Sequence, residues 1–370
     1  MMKRLMLVLL CIVLLAACWD YRGLNEQTIV VGMAVDMEEN GDFALTFEIL
    51  DLNADDGGAF RSVLLEGRGV SLAEAIHNAT ISLHNNMYFG MLDVLIISRE
   101  MAQERGISAL VYYMTRSQNA RNSMHLVVAA TDRAADLLRP ADEEGAHPQS
   151  ILSTTLGENL SISERGGTTT TDPRALFEIF DALQTEGASF SMPVIRQGEG
   201  QDIPFMLDGL AVFHGAQMVG AIEQTDMTAY LLATNTVHGR VFAADIGGER
   251  LAIWMIESSP SLRVHRSGEQ LHFYLDISVE ADVLSLPMGW QSYQSWIEEE
   301  LRRELGEKLD DFIARMQAAG LDALDFSEAV RRKYSQLWAE KADNWVYHLQ
   351  NSTVTVEVQV EIRNFGMIGG

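Results

Sequence analysis

Two segments near the C-terminus alternate apolar and polar residues, and this alternation constrains the fold more than any other feature of the sequence. Apolar residues take every second position from Leu271 to Ala281 and again from Val354 to Ile362. A strand with this period buries one face and leaves the other in water. The two segments therefore predict half-buried strands of an antiparallel or mixed sheet that helices cover on one face.

The residues between these strands predict two helices that form this cover. Apolar side chains of the first helix recur at steps of three and four residues: Leu301, Leu305, Leu309, Phe312 and Met316. Its polar side has Glu299–Arg303 and Glu304–Lys308 at the i,i+4 spacing that favours ion pairs. The second helix is predicted to start after Asp325 as its N-cap, with Glu328 at its third position.

The N-terminal half shows a β–α–β order, which predicts a mixed sheet with helices packed on it. Asn40-Gly41 is a hairpin signal between the first two strands, and Ser71 and Glu74 form a capping box at the start of a helix. Asp172 is predicted to cap a later helix over residues 173–183. The other predicted elements are strands over residues 28–35, 43–49, 93–98 and 124–130, and helices over 72–83 and 100–114.

The polar, glycine-bearing stretch 198–204 is the best candidate for a linker between domains,. With 370 residues, the chain is long enough for two or three domains,. We predict an N-terminal α+β domain over residues 18–197, open to further subdivision, and a C-terminal α+β domain over residues 205–370. The predicted fold class is α+β, with mixed or antiparallel sheets covered by helices.

A short apolar segment at the N-terminus ends at a cysteine. Lys3 and Arg4 precede the apolar residues 5–15, and two alanines and Cys18 follow them. The run is shorter than the roughly 20 apolar residues that span a bilayer, and it fits the apolar region of a signal peptide. Small residues before a cysteine are typical of a bacterial lipobox. We therefore expect residues 1–17 to be a lipoprotein signal peptide and Cys18 to carry the lipid, with an uncleaved anchor helix as the alternative.

Cysteine content and net charge limit the kinds of cross-link and the classes of partner expected for the mature chain. Of the two cysteines, Cys11 lies in the predicted signal peptide and Cys18 is the predicted lipid acceptor, so an intramolecular disulfide is not expected. The net charge is −25, from 27 basic and 52 acidic residues. Such an acidic chain does not suit the phosphate backbone of nucleic acid, and anionic headgroups repel it. Membrane affinity is therefore expected to come from the lipid.

No arrangement of residues predicts catalysis or a metal centre. His77 and His84 share a predicted helix, but no carboxylate or thiol stands at ligand spacing beside them. The segment Asp51-x-Asn53-x-Asp55 begins like a calcium loop and then lacks the required glycine and glutamate. The paired acids Glu143-Glu144 and Asp310-Asp311 are typical of solvated faces. We expect no enzymatic activity, no metal and no cofactor.

Short motifs along the chain resemble one family in their content and order. They are Cys18-Trp19-Asp20, Leu24-Asn25-Glu26, residues 29–36, Gly69-Val70-Ser71-Leu72 with Ala75, Phe89-Gly90, residues 208–213 with Val219-Gly220, and Leu324-Asp325-Phe326 with Trp338 and Gly366. This ordered set resembles the lipoprotein (C) subunits of spore germinant receptors, the Ger(x)C family. The resemblance covers nearly the whole mature chain.

The resemblance implies a non-enzymatic protein whose lipid at Cys18 holds it on the cell membrane, in spores on the outer face of the inner membrane. Its implied partners are two polytopic subunits of the same receptor, one of them transporter-like, with which it couples nutrient sensing to germination. Two other classes stay open. A lipid-anchored extracytoplasmic solute-binding protein would have the same lipobox but two similar α/β lobes, and an anchored hydrolase would need a nucleophile–base or carboxylate pair.

Overall fold

In the part of the chain that the structure describes, the first sheet is built mostly from shorter strands with short helices, and the second from longer strands with a helical layer. This computed structural model describes residues 27–51, 61–81, 83, 85–117, 119–139, 160, 173–185, 187–198, 205–234, 237–285 and 289–366. The strands are β1 Gln27–Met37, β2 Phe43–Asp51, β3 Arg61–Gly69, β4 Asn86–Tyr88, β5 Val94–Ile97, β6 His125–Ala129, β7 Ser189–Gln197, β8 Phe205–His214, β9 Gln217–Ile222, β10 His238–Ile246, β11 Glu249–Ser267, β12 Gln270–Val283 and β13 Thr353–Phe365. The helices are α1 Leu72–Thr80, α2 Ser108–Arg116, α3 Leu176–Leu183, α4 Met227–Ala233, α5 Gln294–Ala319, α6 Phe326–Lys333, α7 Ser335–Lys341 and α8 Trp345–Gln350.

The described strands β1 to β9 form one mixed sheet in the order β3-β2-β1-β5-β6-β7-β8-β9, with β4 beside β1. The central pairs β1–β5, β5–β6 and β6–β7 are parallel, and the outer pairs are antiparallel. Both β5 and β6 are buried along their whole length, which is why they read as short apolar runs and not as alternating segments. The prediction of an N-terminal mixed sheet carrying helices is confirmed.

Two local signals of the N-terminal half act as predicted. Asn40-Gly41 lies in the turn between the antiparallel strands β1 and β2, where Gly41 takes a φ of +83°. Ser71 caps α1 by accepting a hydrogen bond from the Glu74 amide at 3.2 Å. The Glu74 carboxylate in turn accepts one from the amide of Val70 at 3.0 Å, so both halves of the N-terminal turn are satisfied.

Two predicted helices of this half differ from the structure. The helix predicted over residues 100–114 is interrupted: a π-helical turn over Met101–Arg105 ends at Gly106, which has a φ of +75°, and α2 then begins anew. The amide of Ile107 donates a hydrogen bond to the carbonyl of Ala216, in the turn between β8 and β9. This contact stabilises the interruption of the helix. The helix predicted from Pro173 begins later, at α3, and the proposed cap Asp172 lies outside the described residues. Glu178 satisfies the amide of Ala175 there instead, at 2.8 Å.

The described strands β10 to β13 form a second sheet in the order β10-β11-β12-β13, antiparallel except for the parallel pair β12–β13. The apolar side chains of β12 from Leu271 to Ala281 are all buried, and the alternating polar ones lie on the opposite face. Helix α5 covers the buried face with the predicted residues, together with Ile297 and Ile313. The prediction of a half-buried sheet with a helical cover on one face is confirmed.

Ion pairing on the outer side of α5 is confirmed at one predicted pair and differs at the other. Lys308 contacts Glu304 at 2.9 Å. Arg303 contacts Glu300 and Glu307, both at 2.9 Å, and not Glu299. Residues three and four apart are both neighbours on a helix, so an arginine flanked by several acids can pair with more than one of them. Sequence spacing alone does not predict which pair forms.

The predicted linker connects two neighbouring strands of the first sheet. Strand β7 ends at Gln197, β8 begins at Phe205, and the two pair antiparallel. Strands β8 and β9 thus belong to the first sheet by hydrogen bonding, although the predicted division assigns them to the C-terminal domain. The change from one sheet to the other falls after Ile222, where β9 ends.

Candidate functional site at the junction of the two sheets

Most of the residues considered as candidate sites in the sequence lie outside the described residues. Cys18 lies outside the described residues, as do His84, Asn53, Asp55 and the pair Glu143-Glu144. His77 is exposed on α1, and Asp310 and Asp311 are exposed on α5. Within the described ranges, no three His, Cys, Asp or Glu side chains are close enough to hold a metal ion.

Strand β8 lies between two of the hydrophobic cores, and alternating residues of its C-terminal part belong to different ones. Leu210 and Val212 are buried in the core under the second sheet. Ala211 and Phe213, which alternate with them, are buried in the core of the first sheet. Since successive side chains of a strand point to opposite faces, one strand joins both cores without a linker between them.

Helix α4 extends this junction from the C-terminal side. It is buried along its length, and the Tyr230 hydroxyl lies 2.6 Å from the hydroxyl of Ser191 on β7. Just before α4, Asp226 pairs with Arg315 of α5 at 2.5 Å. A buried polar contact and an ion pair therefore fix α4 to the first sheet on one side and to the helical layer on the other.

Two glycines, one just before β7 and one in β9, let large side chains of the helical layer approach the backbone. A Cβ atom on Gly220 of β9 would lie 2.6 Å from both methyl carbons of Leu321. A Cβ atom on Gly187, which has a φ of +68°, would lie 2.9 Å from the indole of Trp338. Both distances are too short for an alanine without movement of the neighbour. A larger residue at either position would require Leu321 or Trp338 to move.

Asp322 organises the helical side of the junction, directly after Leu321. Its carboxylate accepts hydrogen bonds from the amides of Phe326 at 2.8 Å and Ser327 at 2.9 Å. It also accepts one from the indole N–H of Trp345 at 2.9 Å. Helix α6 starts after Asp325 as predicted, and Asp325 occupies the N-cap position with a φ of +54°. Its side chain makes no capping hydrogen bond, however, and Asp322 accepts from the helix amides in its place.

Burial raises the pKa of the Asp322 carboxyl above its ordinary value, and this effect outweighs the hydrogen bonds from Ser327, Phe326 and Trp345, which lower it. Asp36 in β1 shows the same balance in the first sheet. It accepts from the amides of Ala134 and Ala135, and burial again raises its pKa. Both carboxyls therefore serve as buried caps for short helical segments.

A cleft of about 170 Å³ opens at the surface of this junction, between residues 185–189 and helices α6 and α7. Ser189 Oγ and His214 Nδ1 lie 3.3 Å apart at its edge. Among the described residues, no carboxylate contacts His214, so the pair lacks the third member of a hydrolase triad. Glu328 and Arg331, which line the opposite wall, pair with each other.

No helix in the described part of the chain is both long and apolar enough to cross a membrane.

Comparison with known proteins gives a match for each half of the chain. Residues 20–197 match the family described as the N-terminal domain of spore germination proteins. Residues 208–366 match the C-terminal family described as spore germination B3/GerAC-like. The chain belongs to the Ger(x)C family. The two matches meet at the stretch that the sequence suggests as a linker.

Members of the Ger(x)C family from Bacillus subtilis (strain 168) align with this chain from end to end at low identity. Spore germination protein KC is 21% identical, with 98% of this chain and 95% of the relative covered. Spore germination protein A3 is 22% identical, with 99% and 98% covered. The crystal structure of the GerBC protein superimposes with a TM-score of 0.56 at 14% identity, covering 90% of this chain and 97% of that one. The α+β, two-sheet fold is thus a fold found in this family.

Proposed function

We propose that this chain is the lipid-anchored C subunit of a nutrient germinant receptor and that spores need it for germination. The family match over both halves carries the proposal. Family membership and the similar proteins support its coarser part, a germinant receptor C subunit in spore germination. The finer parts, the lipid at Cys18, contact with polytopic subunits and action without catalysis, are inferences from the sequence and the site.

The junction supports a role through contact and not through chemistry. Strand β8, helix α4 and Asp322 join the two halves through shared cores and buried hydrogen bonds. Such a body can transmit a contact made at one end to the other, whereas the cleft at its surface offers an incomplete hydrolase arrangement. The two sheets also differ in strand number and order, so the described residues do not form the two similar lobes of a solute-binding protein.

The lipid determines where such a body works. With Cys18 held at the cell membrane, on the outer face of the inner membrane in spores, the ectodomain stays beside the polytopic subunits of its receptor. A short tether raises the effective concentration of a partner to roughly the millimolar range. Weak contacts between the ectodomain and its receptor subunits then become well occupied. The lipid is needed for this, because anionic headgroups repel an acidic ectodomain.

The experiment compares Cys18→Ala with Cys11→Ala, a matched change inside the predicted signal peptide. We expect Cys18→Ala to leave the detergent phase and lose function in germination, and Cys11→Ala to partition and function as the parent does. Deletion of the chain in a strain without paralogues should abolish nutrient-triggered germination. Normal germination after deletion would refute the receptor role, and unchanged partitioning of Cys18→Ala would refute the anchor.

A further inference from the structure

Side chains from the helical layer occupy the free edges of the second sheet. At the edge strand β10, the amide of Asp245 donates to the carboxylate of Glu304 on α5 at 2.8 Å. Strand β11 extends beyond β10, and there the carbonyl of Val264 accepts from the Lys333 ammonium at 2.7 Å. Pro260 lies in the same extension and has no amide hydrogen to offer. Exposed strand edges attract other strands, and these contacts reduce that tendency.

The opposite edge strand, β13, carries such a cap at one end only. The Ile362 amide donates to Glu298 at 3.0 Å, and the Ile362 carbonyl accepts from Gln294 at 2.9 Å. The register with β12 is regular from Thr353 to Ile362. Since backbone groups alternate in direction along a strand, the amides of residues 354, 356, 358 and 360 point to the same free side as that of Ile362. No side chain among the described residues hydrogen-bonds to those four.

The two faces of β13 define what an added strand would meet. On the helical side, Val354, Val356 and Val360 are only half-buried. On the outer side, Glu357 and Glu361 are exposed, and no basic side chain in the described part of the chain pairs with either. The nearby acids of β12 already have partners, since Asp276 pairs with Arg263 at 2.6 Å and Glu280 with an arginine of β13 at 2.5 Å.

These features favour a basic partner segment over a second copy of the chain. Pairing of two β13 strands would add two more exposed glutamates to the same face and bring together two chains of net charge −25. A segment with apolar residues toward the valines and basic residues toward Glu357 and Glu361 would pair with the free backbone groups of β13. It would also bury the valines and form ion pairs with the two carboxylates.

We propose that β13 binds, as an added strand, an extended segment of a polytopic receptor subunit, with basic residues on its outward face. This rests on the proposed function, because the occupant is a receptor subunit. The contact uses backbone hydrogen bonds over residues 354–360 and ends where Glu298 and Gln294 cap Ile362.

A proline at residue 356 tests the backbone pairing. Val356→Pro removes an amide hydrogen that points to the free edge and leaves the bonds to β12, because proline is tolerated on edge strands at such positions. Val356→Thr is the matched control, since it keeps both the amide and the branched shape. We expect both variants to fold and partition with the membrane, and the proline variant alone to lower the germination rate by tenfold or more.

Photo-crosslinking from intact spores identifies the occupant. A benzophenone amino acid at Gln359, on the outer face of β13, should give an adduct with a polytopic subunit of the receptor. The adduct should be lost with Val356→Pro and retained with Val356→Thr. The same probe at Ser259, which lies on the same face two strands away in β11, should give far less of it.

Three results would overturn this assignment. They are an adduct with a second copy of the chain, an adduct unaffected by the proline, and normal germination of a folded and anchored Val356→Pro variant. In a strain where deletion of the chain abolishes germination, the last result would refute the strand-docking site but not the receptor role. Normal germination after deletion would refute both the strand-docking site and the receptor role.

Discussion

Asp322 and Asp325 are the same residue type on the same turn, and their environments assign them different roles. Asp322 is buried and receives hydrogen bonds from two helix amides and an indole. Asp325 takes the left-handed conformation at the N-cap and makes no capping hydrogen bond. The position of Asp322 beside Leu321 also connects the cap of α6 to the packing of Leu321 against Gly220.

Substitution of the two aspartates should separate these roles. Asp322→Ala leaves three buried donors without an acceptor, each costing about 1–3 kcal/mol, so we expect the free energy of unfolding to fall by about 3 kcal/mol or more. Asp325→Asn retains a residue type that tolerates positive φ and should cost about 1 kcal/mol or less. Chemical denaturation of both ectodomain variants measures the difference, and equal losses would contradict the assignment.

The raised pKa of Asp322 gives this residue a pH signature. Below its ordinary pKa of 3.8 the carboxyl is protonated in both folded and unfolded chains. As the pH rises above 3.8, the unfolded chain releases the proton first, so the free energy of unfolding falls until the folded-state pKa is passed. We therefore expect the stability difference between the parent and Asp322→Ala to shrink as the pH rises from 4. A difference that grows with pH would mean a lowered pKa.

Capping residues show what local sequence could predict and what it could not. Ser71 was predictable because its partner Glu74 lies three residues on and every contact is within one turn. Asp322 was not, because it reaches helix amides four and five residues ahead across an intervening turn. Its third partner, Trp345, comes from a different helix. The residues Leu321 and Gly220 gave no signal either, since their contact depends on the relative placement of two sheets.

Helix α5 is the element that the second half of the chain depends on most. Seven of its residues are buried against the sheet, and its polar side chains contact the edges at both β10 and β13. Its apolar periodicity made it predictable, because the whole helix rests on a single sheet face. The break at Gly106 was not, since the carbonyl of Ala216 that sustains it comes from a remote turn.

Truncation in α5 should test this dependence. Leu305 is fully buried at the centre of the helix, and Leu305→Ala should lower the free energy of unfolding by about 2–5 kcal/mol through lost burial and a cavity. Arg302→Ala, one turn earlier on the exposed side, removes only a surface ion pair with Glu299 and should change stability little. Thermal unfolding followed by circular dichroism compares them. Similar losses for the two variants would place α5 outside the core.

At the scale of the whole molecule, β8 makes two sheets into one structural unit. Its Leu210 and Phe213 belong to different cores, so neither half keeps its core intact when the other is removed. Sequence periodicity predicted both halves and their α+β class, because each strand and helix carries its own pattern. It could not predict that a polar stretch after Gln197 would join two paired strands, since a hairpin loop and a domain linker have similar compositions.

Cleavage within residues 199–204 should therefore leave the two parts associated. We expect an ectodomain with a protease site inserted there to elute as one species after cutting, because β7 and β8 remain paired and both contribute side chains to the core of the first sheet. An uncut ectodomain carrying the same insertion is the control. Separation of the fragments without denaturant would show that the parts are independent domains.

The place of β1 in the first sheet has a mechanical consequence for a chain held by its N-terminal end, as we propose. Strand β1 is the first described element, and it lies between β2 and β5 in the middle of the sheet. A pull along it from the N-terminus would load hydrogen bonds on both of its sides in shear and all at once, whereas a pull on an edge strand could unzip them singly. The fold thus presents to the tether a strand that is hydrogen-bonded on both sides, so that force from a moving membrane partner would reach the rest of the ectodomain before β1 was pulled out of the sheet.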